Sequence, residues 1–446
     1  MPSRLPRRRF LLAVGVGATT AGCLGDGSPA ASGPDPVDSA FDLGVDHDIE
    51  SWDRYDPDWT APDTSPLAAA LEVETLAEGI EIPWGMTFAP DGTCFISERV
   101  GRINRYEAGS LETVVEPDGV IEHASSVAPG EDGDWWDGGG EGGLLGIALH
   151  PNYPDVPVLY GFYTYGSDDL RNRLSYFDLS GDDPTETVVI DGLPGEDYHN
   201  GARLAFGPRN YLWVTTGDAG TEALSADPDS LAGKVLRLKP DGTAPEDNPD
   251  AGDPRVYSYG HRNPQAMAFL PDGTPVVTEH GPSARDEVVV VERGQDHGWP
   301  DVRSGGEDDQ YRRYGDSAGV TNPLVNTGPN ETWAPSGGVF YTGAAVPALR
   351  NRLLVGGLRS QTLVSISVHG GAAPDIGGSR YDDSWLHPDY ESVAHNLFAD
   401  ELGRIRHLEQ APDGQLYAIT SNRDGRANQP FPVEGDDRLV RIVQRD

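Results

Sequence analysis

A histidine and an aspartate are spaced so that they can form a catalytic base with its orienting carboxylate. His199 directly precedes a predicted apolar strand, and Asp218 follows one hairpin later, in Thr216-Gly217-Asp218. A carboxylate on one imidazole nitrogen fixes the tautomer and raises the basicity of the other nitrogen. The pair predicts proton abstraction by His199. Taken alone, it is equally consistent with a loop histidine and a turn-capping aspartate.

Four arginines are placed to bind an anion. Arg262 and Asn263 stand together before a predicted strand, where they offer a fork of donors for carboxylate or carbonyl oxygens. Arg404 and Arg406 are two residues apart, so both guanidinium groups lie on one face of a strand. Arg359 lies in an otherwise apolar stretch. Their convergence would indicate a small polyanionic ligand, whereas scattered surface ion pairs are the alternative.

The segment Glu279-His280-Gly281-Pro282 predicts a turn that can bind a hard cation. Its backbone carbonyls are expected to point outward, and carboxylates follow at Asp286 and Glu287. Oxygen ligands of this kind suit Ca²⁺. A solvated acidic turn is the alternative interpretation of the same residues.

A repeated structural unit is expected to bring these segments together. From about residue 71 an apolar strand, a Pro-Asp-Gly type of turn and further strands recur six times, as at Pro90-Asp91-Gly92 and Pro412-Asp413-Gly414. Six such units predict an all-β, six-bladed β-propeller, in which radial packing protects the edges of each small sheet. A β-sandwich also has short alternating strands, but it does not repeat a turn at a fixed phase. In a propeller, loops at strand starts converge on one face near the axis.

The composition agrees with a β-rich protein and limits its partners. The 446 residues include 56 Gly and 37 Pro, which suits many short strands joined by tight turns. The formal charge of −39 excludes a general nucleic-acid binder, because phosphate repels such a surface. Lysine occurs only at Lys234 and Lys239. An acidic, lysine-poor surface indicates a halophilic protein, and an ordinary acidic exported protein is the alternative.

The N-terminus resembles an export signal. Arg7-Arg8-Arg9 precedes an apolar run, residues 11–21, that is too short to span a bilayer. We therefore interpret residues 1–23 as a twin-arginine signal peptide with a lipobox, in which Cys23 would be lipidated. This predicts export by the twin-arginine route and attachment to the outer face of the cytoplasmic membrane through the lipid alone. A plain signal peptide with an incidental cysteine is the alternative.

The rest of the chain divides into two predicted parts. Residues 24–66 are rich in Gly, Pro, Asp and Ser without apolar periodicity, so they predict a largely flexible tether, with local order near Trp52 and Trp59 as the alternative. Residues 67–446 are predicted to form the propeller. Cys94 then has no disulfide partner, and its apolar neighbours predict a small core residue.

Together these motifs resemble the soluble PQQ-dependent sugar dehydrogenases, the glucose/sorbosone dehydrogenase or aldose sugar dehydrogenase family; PQQ is pyrroloquinoline quinone. The resemblance covers most of residues 71–443. It rests on an ordered series of segments: Pro83-Trp84-Gly85, Gly142-Gly143-Leu144-Leu145-Gly146, His199 with Asp218, Gly260-His261-Arg262-Asn263-Pro264-Gln265, Gly281-Pro282, Gly298-Trp299-Pro300, Ala334-Pro335-Ser336 and Arg404-Ile405-Arg406.

The resemblance implies a quinoprotein that uses PQQ and Ca²⁺ to oxidise an aldose at C1 to the lactone and passes the electrons to an external acceptor. It implies that His199 is the general base, that Asp218 orients it and that Arg262 polarises the quinone carbonyl that receives hydride. The quinone and its carboxylates would be held by Arg262, Asn263, Arg359, Arg404 and Arg406. The carbonyls of Gly281 and Pro282 would bind the Ca²⁺.

The chain departs from the family pattern at several positions. Glu141 stands where the family usually has Gln beside the sugar, so substrate contact or local charge is expected to differ. Tyr198 replaces an Asp, and Arg359 replaces a Lys, of the glucose dehydrogenase branch. Trp333 is offset from that branch's quinone-side Trp, so it receives no such role. The acidic stretch 131–137 predicts either a substrate lid or a solvated loop.

Two other functions fit the same fold. A Ca²⁺-dependent propeller lactonase needs an activated water but no arginine cluster. A non-catalytic binding propeller needs neither a base nor that cluster. His199 together with the four arginines therefore favours the dehydrogenase.

Overall fold

The computed structural model describes residues 34–121, 140–306 and 308–445, and it confirms the six-bladed β-propeller. The predicted signal peptide with Cys23 and the acidic stretch 131–137 lie outside the described residues. Helices in the described ranges are single 3-10 turns: Ile49–Ser51, Pro66–Ala68, Pro208–Asn210, Glu222–Leu224, Tyr314–Asp316 and Pro347–Leu349. None of them is long and apolar enough to cross a membrane.

The first three blades are antiparallel four-stranded sheets. Blade one contains β2 (Pro83–Phe88), β3 (Cys94–Glu98), β4 (Arg102–Glu107) and β5 (Ser110–Val115) and follows β1 (Ala70–Ala77). Blade two contains β6 (Leu144–Leu149), β7 (Val158–Tyr165), β8 (Arg171–Asp178) and β9 (Thr185–Pro194). Blade three contains β10 (Gly201–Phe206), β11 (Leu212–Thr216), β12 (Lys234–Leu238) and β13 (Val256–Tyr259).

Of the last three blades, blade five has a fifth strand, and blade four is interrupted by a separate two-stranded sheet. Blade four contains β14 (Pro264–Phe269), β15 (Pro275–Glu279), β16 (Glu287–Val290) and β19 (Val325–Asn326), and β17 (Val302–Ser304) pairs in parallel with β18 (Arg312–Arg313). Blade five contains β20 (Pro335–Tyr341), β21 (Arg352–Gly357), β22 (Leu363–His369), β23 (Ser379–Tyr381) and β24 (Glu391–Leu397). Blade six contains β25 (Ile405–Gln410), β26 (Leu416–Thr420) and β27 (Leu439–Arg445) together with β1.

The two ends of the propeller meet in one sheet and close the ring. Strand β1 pairs antiparallel with β27, from Ala70 opposite Arg445 to Ala77 opposite Leu439. The innermost strands β6 and β14 are buried along their whole length, because each lies between neighbouring blades and not on a solvated face. Closure therefore fixes the starts of the inner strands, and the loops that precede them, around one axis.

The prediction of a flexible tether is wrong for residues 34–66, here called the N-terminal strap, which packs on the propeller. Leu43 is buried in the core shared by blades two and three. Trp52 packs edge-on against blade four, and Trp59 does the same against blade five, with ring centroids 5.9 Å and 5.1 Å from their partners. The strap shows no apolar periodicity because it gives isolated side chains to separate blades.

The strap covers one face of the ring. Its contacts lie at the turn ends of inner strands: Trp52 contacts Phe269 and Trp59 contacts Phe340. Arg54 forms an ion pair with Glu409 at 3.0 Å. The predicted chemical residues lie at the opposite ends of these strands, so the strap leaves their face uncovered. Cys94 is buried as predicted, and this burial raises the pKa of its thiol.

Replacing Trp52 by Ala should lower the free energy of unfolding by about 3 kcal/mol, because it removes a large buried side chain that the strap inserts into the core. Denaturant unfolding monitored by circular dichroism measures this. Leu67→Ala is the control, since Leu67 is 61% exposed and should change stability by less than about 0.5 kcal/mol. Equal effects of the two substitutions would show that the strap does not stabilise the fold.

Candidate active site

The structure brings His199 and Asp218 into contact, as the sequence predicted. Gly201 at the start of β10 pairs with Thr216 at the end of β11, so the residues flanking these two strand ends are neighbours. Nδ1 of His199 lies 2.8 Å from Oδ1 of Asp218. With Nδ1 occupied by the carboxylate, Nε2 is the nitrogen left to act as a base.

Asp218 is rigidly held and buried. Its Oδ1 also accepts from the backbone N–H of Gly220, and its Oδ2 accepts from the indole N–H of Trp299, both at 2.9 Å. Its own backbone N–H donates to the carbonyl of Arg262 at 2.8 Å. The sequence motif contained Trp299 but gave it no role, because an indole 81 residues from its acceptor leaves no local signal.

Glu141 contacts His199 from the other side. Its Oε2 accepts from the backbone N–H of His199 at 3.2 Å, and its Oε1 accepts from Nη1 of Arg426 at 2.8 Å. Burial alone would raise the pKa of Glu141, but Arg426, His280 and His199 lower it to about 2. Glu141 is therefore a carboxylate at neutral pH. Arg426 was not predicted from the sequence.

A cavity of about 370 Å³ lies next to this group, within the size range of small-ligand pockets. Its lining includes Glu141, His280 and five arginines: Arg99, Arg359, Arg404, Arg406 and Arg426. The structure thus brings together three of the arginines that the sequence singled out. Arg99 and Arg426 were missed because neither stands in a recognisable motif.

The cavity carries an excess of positive charge. Behind its wall, Oδ2 of the buried Asp424 accepts from Arg404 at 2.7 Å and from Arg406 at 3.3 Å. Burial lowers the pKa of Arg406 to about 10, so the group stays charged at neutral pH. Within the described ranges, the five arginines outnumber the two carboxylates that form ion pairs with them, Glu141 and Asp424. Such an excess is costly in a buried site unless an anion binds there.

Arg262 and Asn263 border the cavity through His280. Nη1 of Arg262 donates to the carbonyl of His280 at 3.3 Å, and the backbone N–H of His280 donates to the carbonyl of Asn263 at 3.3 Å. The Arg262 guanidinium lies 5.3 Å from the ring centroid of Trp299. Within the described part of the chain, Nε of Arg262 and Nδ2 of Asn263 are buried without a hydrogen-bond partner. They are donors available to a ligand.

The carboxylates expected near the predicted cation turn are both engaged within the fold. Oδ1 of Asp286 accepts from the backbone N–H of Gly281, and its Oδ2 accepts from the backbone N–H of Trp333, so it is used within the fold. Glu287 is buried in an ion pair with Arg303. The described ranges contain no group of three or more His, Cys, Asp or Glu side chains suited to a metal. A cation here would depend on backbone carbonyls and on oxygens of a bound ligand.

Comparison with known proteins finds one matching family and several similar proteins. Residues 80–429 match the family described as Glucose / Sorbosone dehydrogenase. Aldose sugar dehydrogenase YliI from Escherichia coli K12 is 28% identical over 384 residues, covering 82% of this chain and 93% of that protein. The PQQ-bound aldose sugar dehydrogenase from Streptomyces coelicolor is 30% identical, with a TM-score of 0.66, covering 86% and 100%. A putative oxidoreductase (glucose dehydrogenase) from Thermus thermophilus is 34% identical, with a TM-score of 0.67, covering 84% and 100%.

The low pKa of Glu141 predicts a specific pH dependence of stability. Between the ordinary value of 4.5 and about 2, the unfolded chain binds a proton at Glu141 and the folded chain does not. The ionised group therefore stabilises the fold fully above pH ~5, and this contribution is lost as pH falls toward 2. The difference in free energy of unfolding between the native chain and Glu141→Gln should be constant from pH 7 to 5. It should shrink by about 2 kcal/mol at pH 3. A difference independent of pH down to 3 would contradict the ionised, paired state.

Proposed function

We propose that this chain, which belongs to the glucose/sorbosone dehydrogenase family, is an exported quinoprotein that oxidises an aldose at C1 to the lactone with PQQ and Ca²⁺. One observation carries the proposal: His199, hydrogen-bonded to the buried Asp218, contacts Glu141 at the edge of a cavity that five arginines line. A base and an anion site side by side are what hydride removal from a sugar hydroxyl carbon to an anionic cofactor requires.

The residues at the cavity fit PQQ, which is a tricarboxylate quinone. The positive excess of the cavity matches its charge, and Nε of Arg406 is buried without a hydrogen-bond partner among the described residues. We assign Arg359, Arg404 and Arg406 to its carboxylates and Arg262 and Asn263, with their unpaired donors, to its carbonyl side. When bound, PQQ supplies the acceptor for the hydride that leaves sugar C1.

His199 would accept the hydroxyl proton that is lost together with the hydride. Its Nε2 removes the proton of the anomeric hydroxyl while the C1–H bond breaks, so that a C1–O double bond forms and the product is a lactone. Asp218 holds Nδ1–H and stabilises the imidazolium that results. Arg262, held over Trp299, would stabilise the negative charge that reaches the acceptor. Glu141 offers a carboxylate to a sugar hydroxyl, at the edge of the same cavity.

We further propose that Ca²⁺ binds the carbonyls of Gly281 and Pro282 and completes its coordination with cofactor oxygens. Ser283, the next residue, lines the cavity, which supports a cation between the turn and the ligand. The arginine-rich cavity argues against a lactonase or a non-catalytic binding propeller, since neither needs a site for a polyanion.

The N-terminal sequence supports action outside the cell. We propose export through the twin-arginine route with the cofactor already bound, lipidation at Cys23 and transfer of electrons to an external acceptor. The charge of −39 supports function in high salt.

The purified chain, loaded with PQQ and CaCl₂ in concentrated KCl, should reduce an artificial electron acceptor when an aldose is added. His199→Gln should lower kcat by about 10² or more, because it removes the base, while absorbance titration shows unchanged PQQ binding. His47→Gln is the matched control and should keep full activity, because His47 lies in the N-terminal strap, where its ring stacks on Tyr211 and its Nδ1 lies 2.7 Å from the carbonyl of Arg209. No reduction with any of a broad aldose panel would overturn the dehydrogenase. Loss of PQQ binding in His199→Gln would overturn the role of His199.

A further inference from the structure

We propose that Arg426 is a charge-compensating residue: it neutralises Glu141 and thereby preserves the positive excess that binds the cofactor's carboxylates. This inference rests on the proposed function. It explains how a cavity lined by the carboxylate of Glu141 still presents an anion-binding surface. Glu141 and Arg426 would act as one pair. Together they place a carboxylate at the edge of the cavity where the sugar would bind, and they leave the net charge of the cavity unchanged.

The contact joins opposite parts of the chain across the cavity. Glu141 precedes β6 of blade two, and Arg426 lies between β26 and β27 of blade six, 285 residues away. The backbone N–H of Arg426 donates to Oδ1 of Asp424 at 3.1 Å, and its carbonyl accepts from Nη1 of Arg404 at 3.4 Å. The loop that supplies the counter-charge for Arg404 therefore also holds Arg426 in place.

Glu141 is fixed from the other side. Nε and Nη2 of Arg99 donate to the carbonyls of Gly142 and Gly140, at 3.0 Å and 2.6 Å, and so clamp the backbone on either side of it. The backbone N–H of Glu141 donates to the carbonyl of Asp197 at 2.5 Å. With its backbone held and its Oε2 on His199, the Glu141 carboxylate stays at the cavity edge.

The pattern of partners separates Arg426 from the other cavity arginines. Arg404 and Arg406 share the carboxylate of Asp424, and Arg359 donates to the neutral amide of Asn428 at 2.8 Å. Arg426 instead forms its ion pair with Glu141. Replacing both Glu141 and Arg426 by neutral residues leaves the excess of positive charge in the cavity unchanged. Removing Arg426 alone exposes the bound anion to an unneutralised carboxylate, whose repulsion is strong in a partly buried site.

A double-mutant cycle on PQQ binding tests this. Apo-protein with Ca²⁺ is titrated with PQQ by absorbance in the native form and in Glu141→Gln, Arg426→Gln and the double variant. We expect Arg426→Gln to weaken binding about tenfold or more, and Glu141→Gln alone to match or tighten it. The double variant should return to within about threefold of the native Kd. Arg426→Lys keeps the charge and should bind nearly as the native chain does, which controls for folding.

The outcomes separate compensation from other roles. A double variant as weak as Arg426→Gln would show that Arg426 contacts the cofactor directly, and unchanged binding in Arg426→Gln would also overturn the proposal. The same four proteins titrated calorimetrically with benzene-1,3,5-tricarboxylate test the charges without a quinone. If this probe gives the expected order and PQQ does not bind, the proposed function fails and compensation stands. If neither probe gives the order, compensation fails.

Discussion

The site depends on one constraint: several arginine side chains of like charge lie close together in a partly buried cavity. In a chain of net charge −39, five arginines line one cavity, and burial lowers the pKa of two of them, Arg99 to about 9 and Arg406 to about 10. Their mutual repulsion and loss of hydration oppose folding. The cavity can persist because Asp424 and Glu141 offset part of the charge and because the surrounding sheets do not move apart.

The closed ring supplies that rigidity. Blade six is built from both ends of the propeller, and the N-terminal strap joins several blades on the face away from the cavity. Under the cavity the Arg203 guanidinium lies 4.0 Å from the ring centroid of Trp84 and contacts Nδ1 of His407 at 2.7 Å. Burial and Arg203 lower the pKa of His407 to about 4, so this histidine is a neutral acceptor on the axis. The floor thus adds one more arginine, and the histidine that contacts it is uncharged at neutral pH.

The sequence predicted those features of the fold and the site that depend on residues close together in the chain. Repeated turns predicted the propeller, and short motifs predicted that His199 meets Asp218 and that three arginines converge. Sequence reasoning missed Arg99 and Arg426, because contacts between blades join residues that are far apart in the chain and have no fixed spacing. It missed the buried Asp424 because the contacts of Asp424 with Arg404 and Arg406 cross a whole hairpin of blade six and follow no motif. The same cause explains the strap: isolated side chains such as Trp52 bind separate blades and produce no periodicity. The sequence indicated Asp286 as a carboxylate near the predicted cation turn, but it did not indicate that this carboxylate accepts from backbone N–H groups, which a carboxylate in a turn readily does.

The central claim is that the arginine-lined cavity holds the hydride acceptor next to the base His199. Single-turnover stopped-flow absorbance of the PQQ-loaded protein with saturating aldose, unlabelled or deuterated at C1, tests it most directly. The account predicts that bound quinone is reduced in one phase that C1 deuteration slows severalfold. Reduction at the same rate with both sugars, or no reduction of the bound quinone, would contradict it.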